Sequence, residues 1–316
     1  MDIIGIGGAF IDLTYHVPDA RLVELGLRKA GISFVSPDQQ RHLIESNRAA
    51  LTGVSHGGSV ANSIYTAQKM GAKCAFAAKI GNDSYGESFA TELSSHGVTL
   101  ASELCQGDTN SVLAFITPDG EKTFAVSPEL ASKLTFNDIN KETLRSSAWS
   151  VIEGQLFSYG DGSKQAALDC LNFSKSINQK TVLNLGSISV VEKNRDIFRQ
   201  LLAEGVISLL IGNSDEFALL HGGDNINDAL TWAKEYAEYV VATKGADGAI
   251  GRHNEIEFQV PPPRVSSVVD TSGAGDAFLG TLLASMASGQ PLFTSMESAN
   301  EIAARVVQQH GTRLSS

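Results

Sequence analysis

The chain has 316 residues, of which 42% are hydrophobic, and a formal net charge of -11. This length and composition suit one large α/β domain or two modest ones. The lack of any basic run argues against nucleic-acid binding, and no window is apolar enough for a membrane span. The first residues do not resemble a signal peptide. The three cysteines, Cys74, Cys105 and Cys170, are too scattered for a disulfide framework or a zinc site, so we expect a cytoplasmic protein.

Strand-like and helix-like runs alternate along most of the chain. The first strand is predicted at residues 1–7, and a helix with a capping box is predicted to begin at Ser36. The alternation favours a mostly parallel sheet that is covered by helices on both faces. The further predicted elements, in chain order, are a helix at Ser59–Met70, a strand at Cys74–Ile80, a helix at Tyr85–His96, strands at Ala148–Ile152, Thr181–Leu185, Ile207–Ile211 and Tyr239–Thr243, and helices at Lys164–Ser174, Val191–Leu202 and Ile226–Tyr236.

Two stretches interrupt this alternation. Residues 11–35 show no clear helix pattern, and Ser111–Val126 has the pattern of a hairpin that turns at Thr117-Pro118-Asp119-Gly120. Together they predict a small β lid over the carboxyl edge of the sheet. The predicted large domain comprises residues 1–10, 36–105 and 127–316, and the predicted lid comprises residues 11–35 and 106–126.

The stretch VVDTSGAGDAFLG, residues 268–280, combines bare backbone with a carboxylate. A short β-type run, Val265–Val269, precedes it, and an amphipathic helix is predicted to begin near Gly275. The first N–H groups of a helix have no acceptor within the helix and can bind a phosphate oxygen. Asp276, in the first turn, is suited to accept a proton from a hydroxyl group that attacks the phosphoryl group. An ordinary capped helix with glycines for close packing is the alternative interpretation.

The motif DTSGAGD resembles the carboxy-terminal signature of the ribokinase family, also called pfkB carbohydrate kinases, and the resemblance extends over nearly the whole chain. It implies a ribokinase-like three-layer α/β/α core with a mostly parallel sheet and a small β lid. It also implies that Asp276 is the catalytic base and that the backbone of Gly273, Ala274 and Gly275 forms an anion hole. The implied ligands are ATP, Mg²⁺ and a sugar or nucleoside acceptor. A monovalent cation such as K⁺ near the loop 270–274 is common in relatives.

The segment HGGSVANS, residues 56–63, resembles the amino-terminal signature of the same family. Gly57 and Gly58 would let a sugar approach the backbone, and Asn62 offers both a donor and an acceptor to hydroxyl groups. Asp12 matches the acid that binds sugar hydroxyls in the family. The alternatives are a glycine-containing loop before a helix and an acid in a surface turn.

Two further motifs resemble the nucleotide-binding part of the family. Asn213 and Glu216 match an N-x-x-E motif that helps hold Mg²⁺ and phosphates, largely through water. Thr243, Gly245 and Gly248 match a T-x-G-x-x-G loop that lines the ATP groove. The alternatives are a helix N-cap for the first motif and a tight turn between strands for the second.

Lys122 and Asn300 are weaker matches to the family. Lys122 corresponds to a basic lid position that could neutralise charge on the transferred group, and Asn300 corresponds to a position near the adenine. An exposed lysine on a lid strand explains Lys122 equally well. A dinucleotide-binding fold is disfavoured because Phe10 stands where the third glycine of that fingerprint belongs, and no Walker A motif occurs.

The acceptor is the least determined part of this interpretation. The stretches LGLRKAGISFVSPDQQ and NLGSISVVEKNRDIF are similar to adenosine-kinase-like members, which favours a ribonucleoside over a free sugar. A non-catalytic sugar or nucleoside sensor on the same fold is the alternative from another class, although a sensor has no need of Asp276. The oligomeric state is expected to be a monomer or a homodimer.

Overall fold

The structure, a computed structural model, describes residues 1–314. The strands are β1 (Ile3–Ile6), β2 (Phe10–His16), β3 (Ile32–Phe34), β4 (Leu51–Gly57), β5 (Cys74–Ala77), β6 (Ile80–Gly81), β7 (Thr99–Leu100), β8 (Leu104–Cys105), β9 (Ser111–Ile116), β10 (Lys122–Ser127), β11 (Trp149–Glu153), β12 (Lys180–Asn184), β13 (Leu209–Asn213), β14 (Tyr239–Thr243), β15 (Ala249–His253) and β16 (Ile256–Val260). The α-helices are α1 (Asp19–Glu24), α2 (Pro37–Ser46), α3 (Ser59–Lys69), α4 (Ser84–Ser95), α5 (Glu129–Ser132), α6 (Lys141–Ser146), α7 (Leu156–Tyr159), α8 (Asp161–Ser176), α9 (Ile188–Ala203), α10 (Ser214–His221), α11 (Ile226–Ala233), α12 (Ala274–Ala287) and α13 (Leu292–Val306).

The central sheet has nine strands in the order β16-β15-β14-β13-β12-β11-β1-β5-β7. Its strands pair in parallel from β14 to β7, and only β15 and β16 pair antiparallel. Because parallel strands end at the same edge, the residues that follow their carboxyl ends gather in one place.

Helices cover both faces of this sheet. Along β1, Ile3 packs into the core on one side with α3, α12 and α13, whereas Ile4 packs into the core on the other side with α8–α11. Both residues are fully buried, as expected for a parallel strand that lies between two helical layers. The predicted three-layer α/β/α core with a mostly parallel sheet is confirmed.

A second sheet has five strands in the order β3-β10-β9-β2-β4. It contains the predicted hairpin, which is confirmed as β9 and β10. Residues 11–35, which show no clear helix pattern in the sequence, contain the short helix α1. Residues 51–57 were predicted in the large domain, but they form an edge strand of the second sheet, paired antiparallel with β2. The division into a large domain and a β lid stays a prediction.

The segment before the GAG loop differs from its prediction. Val265–Val269 was expected to be a short strand, yet residues 261–273 contain no strand. Instead, the Val269 N–H donates to the Val307 carbonyl over 2.7 Å, so this segment is held by the chain that follows α13. None of the helices within residues 1–314 has both the length and the apolar character that a bilayer crossing requires.

Candidate active site

Polar side chains end four neighbouring strands of the central sheet. Glu153, Asn184, Asn213 and Thr243 are the last residues of β11, β12, β13 and β14. Glu153 pairs in register with Asn184, and Asn213 with Thr243, whereas Asn184 pairs with Ile211. Asn213 and Thr243 were predicted site residues. Glu153 and Asn184 were not, because a single acid or amide at the end of a strand has no motif around it.

Asp276 lies in the first turn of α12, beside these strand ends. Its Oδ1 accepts a hydrogen bond from Ser59 Oγ over 2.6 Å, and its Oδ2 accepts one from Asn62 Nδ2 over 3.0 Å. Asn184 Nδ2 lies 3.4 Å from the same Ser59 hydroxyl. Burial raises the pKa of Asp276, while the hydrogen bonds from Ser59 and Asn62 and the charge of Arg313 lower it. A buried carboxylate with a raised pKa is suited to accept a proton near neutral pH.

The two glycines of the GAG loop, Gly273 and Gly275, differ in whether the surrounding structure leaves room for a side chain. Gly273 adopts a left-handed conformation with φ of 78°, and a Cβ atom there would lie 2.3 Å from the Thr312 carbonyl oxygen. A Cβ atom on Gly275 would meet no atom within 4 Å. Packing therefore explains Gly273 but not Gly275. Bare backbone at Gly275, in the first turn of a helix of 14 residues, leaves N–H groups accessible to an anion.

Asp12 and the two glycines of the amino-terminal motif meet where β2 pairs with β4. A Cβ atom on Gly57 would lie 2.4 Å from Asp12 Oδ2. Gly58 has a φ of 111°, and a Cβ atom there would lie 2.2 Å from the Gly8 carbonyl oxygen. Burial raises the pKa of Asp12 to about 6; the charge of Arg313 lowers this pKa, and the charge of Asp276 raises it. Asp12 is thus close enough to Asp276 for their charges to interact.

Because Gly57 packs on the Asp12 carboxylate, we expect Gly57→Ala to displace that carboxylate. The variant should raise the KM of the acceptor about tenfold or more while leaving the KM of ATP unchanged, since overpacking of this kind costs about 1–3 kcal/mol. Gly53→Ala is the matched control in the same strand, where a Cβ atom would lie 3.5 Å from the Thr14 Cβ in ordinary contact. Equal acceptor KM values for the two variants would contradict the role of Gly57.

Glu153 is a buried acid that the sequence analysis missed. Its Oε2 accepts a hydrogen bond from the Gly8 N–H over 2.7 Å, and the Tyr159 hydroxyl lies 3.4 Å from its Oε1. Burial raises the pKa of Glu153 to about 8, the bond from Gly8 opposes this, and the charge of Asp276 raises it further. The raised pKa favours the protonated form of this side chain in the folded protein. The stretch WSVIEG contains the only signal, a charged residue at the end of a mostly apolar strand.

A cavity of about 160 Å³ connects Asp276 with the strand ends. Its lining joins residues from six elements and one loop: Ser59, Asn184, Gly186, Ile211, Gly212, Asn213, Glu216, Thr243, Gly275, Asp276 and Leu279. The predicted residues Asn213, Glu216, Thr243, Gly275 and Asp276 are thus brought together. Asp12, Gly57 and Asn62 do not line this cavity.

Asn213 and Glu216 form a capping box at the start of α10. Glu216 Oε2 accepts from the Asn213 N–H over 3.0 Å, Glu216 Oε1 accepts from Asn213 Nδ2 over 2.8 Å, and Asn213 Oδ1 accepts from the Glu216 N–H over 2.9 Å. Burial raises the pKa of Glu216, and the bond from the Asn213 backbone opposes this. Within residues 1–314 no three His, Cys, Asp or Glu side chains cluster so as to hold a metal ion. The oxygen atoms here suit Mg²⁺ that is contacted through water and held mainly by phosphates.

A second, more apolar cavity of about 390 Å³ lies on the far side of the GAG loop. It is lined by Gly245, Ala246, Pro262, Pro263, Val265, Val268, Thr271, Ala274, Asn300, Ala303, Ala304 and Val307. Asn300 Nδ2 donates to the carbonyl oxygens of Val260 and Pro261, over 3.1 and 3.3 Å. Part of its amide therefore holds the start of the segment that follows β16. Gly245 and Asn300 therefore share one cavity.

Gly248 and Lys122 lie outside both cavities. Gly248 has a φ of 82°, and a Cβ atom there would lie 2.2 Å from the Val260 carbonyl oxygen, which explains this glycine by the turn between β14 and β15. Lys122 is exposed at the start of β10. Its charge is nevertheless near enough to contribute to the pKa of Asp270, which is lowered mainly by hydrogen bonds from Ser272 against the effect of burial.

A profile of the pfkB family carbohydrate kinases matches residues 31–316. Among curated proteins, the chain is 28% identical over 237 residues to the aminoimidazole riboside kinase of Salmonella typhimurium, covering 72% of each chain. It is 24% identical over 306 residues to the ribokinase of Dictyostelium discoideum, covering 90% of this chain and 93% of the ribokinase. Among solved structures, the adenosine kinase of Sinorhizobium meliloti is similar with a TM-score of 0.86 and 23% identity, covering 99% of this chain and 95% of that kinase. The predicted ribokinase-like fold is confirmed.

Proposed function

The chain belongs to the pfkB family of carbohydrate kinases, and we propose that it transfers the γ-phosphoryl group of ATP to a hydroxymethyl group of a sugar or ribonucleoside. The observation that supports this most is the position of Asp276. Its carboxylate is held by Ser59 and Asn62 at the start of α12, beside Gly275 and the cavity that reaches Asn213. A base next to an anion-binding helix start is the arrangement that phosphoryl transfer to a hydroxyl requires.

In the proposed reaction, Asp276 accepts the proton of the acceptor hydroxyl while that oxygen forms a bond to the γ-phosphorus. The bond between the γ-phosphorus and the β,γ-bridging oxygen breaks, and ADP leaves. Backbone N–H groups of Gly273, Ala274 and Gly275 stabilise the negative charge on the transferred group. Asp12 and Asn62, beside Gly57 and Gly58, bind the acceptor hydroxyls.

Mg²⁺, when bound with ATP, would neutralise phosphate charge. We place Asn213 and Glu216 near this ion. Their side-chain oxygen atoms already accept hydrogen bonds from each other's N–H groups, so we expect water between these residues and the ion. Thr243 would contact a phosphate, and Gly245 and Asn300 would lie beside the adenine. Lys122 and a monovalent cation such as K⁺ near the loop 270–274 are further parts of this proposal.

A ribonucleoside is the acceptor that we favour. Asp12 pairs in register with Val112, and Val112 pairs with Val126, so these side chains share one face of the second sheet. Phe124 and Ala114 extend the same face, and all four apolar residues are half-buried. An apolar surface next to the Asp12 carboxylate would suit the base of a nucleoside, and it would add little to the binding of a free sugar.

The test is ADP formation by the purified protein with ATP and Mg²⁺ in the presence of adenosine, inosine, guanosine, ribose or fructose. We expect one nucleoside to give the highest kcat/KM. A higher value for ribose or fructose would retain the kinase and refute the nucleoside. If no compound is phosphorylated but one raises the melting temperature, the protein is a sensor and the proposed reaction is wrong.

The apolar cavity gives a separate test of the ATP site. Ala304 lines it, so Ala304→Phe would fill part of its volume of about 390 Å³. We expect the KM of ATP to rise about tenfold and the KM of the acceptor to stay unchanged. Ala20→Phe in α1 is the control, because Ala20 is exposed. An unchanged KM of ATP in Ala304→Phe would place the nucleotide elsewhere.

The cellular context belongs to the same proposal. The cysteines at positions 74, 105 and 170 are free, which suits a reducing cytoplasm. The partners are the small-molecule acceptor and ATP, with no role for nucleic acid or a membrane. A monomer or a homodimer remains our expectation for the oligomeric state.

A further inference from the structure

The chain that follows α13 returns across the site; we call residues 307–314 the C-terminal strap. The Thr312 carbonyl oxygen lies against Gly273, and the Gly311 N–H hydrogen bonds to Asp270. Lys69 Nζ, at the end of α3, donates to the Leu314 carbonyl oxygen over 3.0 Å. The strap therefore connects the GAG loop with the helix that carries Asn62.

Arg313 is the residue of the strap that enters the site. Its Nε donates to Asn62 Oδ1 over 2.8 Å, and its Nη1 pairs with Glu92 Oε1 in α4. The guanidinium lies over the Tyr65 ring, 4.7 Å from the ring centroid. Only 12% of the side chain is exposed. The cation is thus fixed on three sides by residues of α3 and α4.

The Asn62 amide lies between Arg313 and Asp276, and both contacts require the same orientation of the amide. The guanidinium carries only donors, so it must face Oδ1 of Asn62. This leaves Nδ2 to donate to Asp276 Oδ2, over 3.0 Å. In the flipped orientation, Oδ1 would oppose the Asp276 carboxylate and the amide N–H groups would oppose a cation. Either contact would be repulsive.

The remaining polar atoms of Arg313 argue against a role in stability alone. Its Nη2 is buried and, among the described residues, has no hydrogen-bond partner, and neither has Glu92 Oε2. A buried donor without an acceptor costs free energy of folding. Such a cost is expected where a residue serves the site. The charge of Arg313 also reaches both Asp12 and Asp276, where it opposes the effect of burial on their pKa values.

We propose that Arg313 is a positioning residue of the phosphoryl-transfer site, which orients the Asn62 amide and through it the Asp276 carboxylate. The proposal rests on the proposed function of Asp276. It assigns to the C-terminal strap a part in catalysis that neither signature motif contains. The strap also touches the GAG loop, so base and anion hole are held by one segment.

A double-mutant cycle of Arg313 and Asn62 tests this. With ATP and whichever compound of the panel is phosphorylated fastest, we expect Arg313→Gln to lower kcat about 10- to 100-fold, as loss of a charged hydrogen bond would. In an Asn62→Ala background the same change should have almost no further effect. Arg313→Lys, which keeps a charged donor, should restore part of kcat. Arg305→Gln, at an exposed position of α13, is the matched control.

Additive losses in the cycle, or an Arg313→Gln variant that melts earlier but keeps its kcat, would refute the proposal and leave Arg313 a purely structural residue. A second measurement needs no acceptor. In protein labelled with ¹⁵N-asparagine, the Asn62 side-chain NH₂ signals, assigned by their loss in Asn62→Ala, should broaden or shift toward each other in Arg313→Gln. Unchanged signals would also refute the proposal. If no panel compound is phosphorylated, the proposed function fails, and this spectrum still decides whether Arg313 orients Asn62.

Discussion

Replacing Asp276 by asparagine is expected to lower kcat about a thousandfold, within the range that general bases contribute. The asparagine keeps the shape of the side chain, and its oxygen can still accept a hydrogen bond from Ser59 or Asn62. It has no carboxylate to accept the acceptor's proton. The KM values of ATP and acceptor should therefore change little, and the loss should appear in kcat. Steady-state kinetics with the preferred compound of the panel measures both.

The matched control is Asp161→Asn, because Asp161 is an exposed acid in the first turn of α8. It should keep the activity of the unmodified enzyme. A fall of less than tenfold in Asp276→Asn would contradict the assignment of the base. Activity that is retained while the KM of ATP rises would indicate that Asp276 contributes to nucleotide binding instead.

Most of the site residues that the sequence predicted stand close together within short motifs. Asp276 and the GAG loop occupy four consecutive positions, and Gly57, Gly58 and Asn62 lie within six. Such a motif predicts local geometry because a strand end or loop followed by a helix start fixes the directions of its N–H groups and side chains. In the structure a hydrogen bond joins the side chains of Asn62 and Asp276, which lie 214 residues apart in the chain.

The sequence analysis missed residues that have no motif of their own to mark them. Glu153 and Asn184 each end a strand, Ser59 precedes Asn62 within a recognised motif but was not assigned a role, and Arg313 follows the last helix. Their importance depends on burial and on partners that are distant in sequence, such as Gly8 for Glu153. Periodicity and spacing carry no information about such partners.

The second sheet was predicted less completely than the central one. Its hairpin had a turn signal at Thr117–Gly120. By contrast β4, with the sequence LTGVSHG, has two glycines and no regular apolar alternation, so pattern analysis does not separate it from a loop. Helix α1 has only 6 residues, which is too short for a clear period. Strand β4 is defined by its pairing with β2 rather than by its own composition.

Glu153 should make the stability of the protein depend on pH. Burial raises its pKa from 4.5 to about 8 in the folded chain. Between these values the folded protein keeps a proton that the unfolded chain has lost, so the free energy of unfolding falls as the pH rises through this window. Because one pKa unit corresponds to about 1.4 kcal/mol, the loss should amount to a few kcal/mol.

Glu153→Gln removes this dependence, since an amide has no proton to lose. Its oxygen can still accept the hydrogen bond that the Gly8 N–H donates to Glu153. We therefore expect the variant to be no more stable than the unmodified protein at about pH 5 and more stable by a few kcal/mol at about pH 9. Urea unfolding at several pH values measures the difference, and other titrating groups contribute equally to both proteins.

Glu45→Gln is the control for the removal of one negative charge, because Glu45 is exposed in α2. Its stability should follow that of the unmodified protein at every pH. If Glu153→Gln also runs parallel to the unmodified protein, Glu153 is already ionised in the folded state at neutral pH. The buried carboxyl would then be an anion, and its charge would interact with that of Asp276.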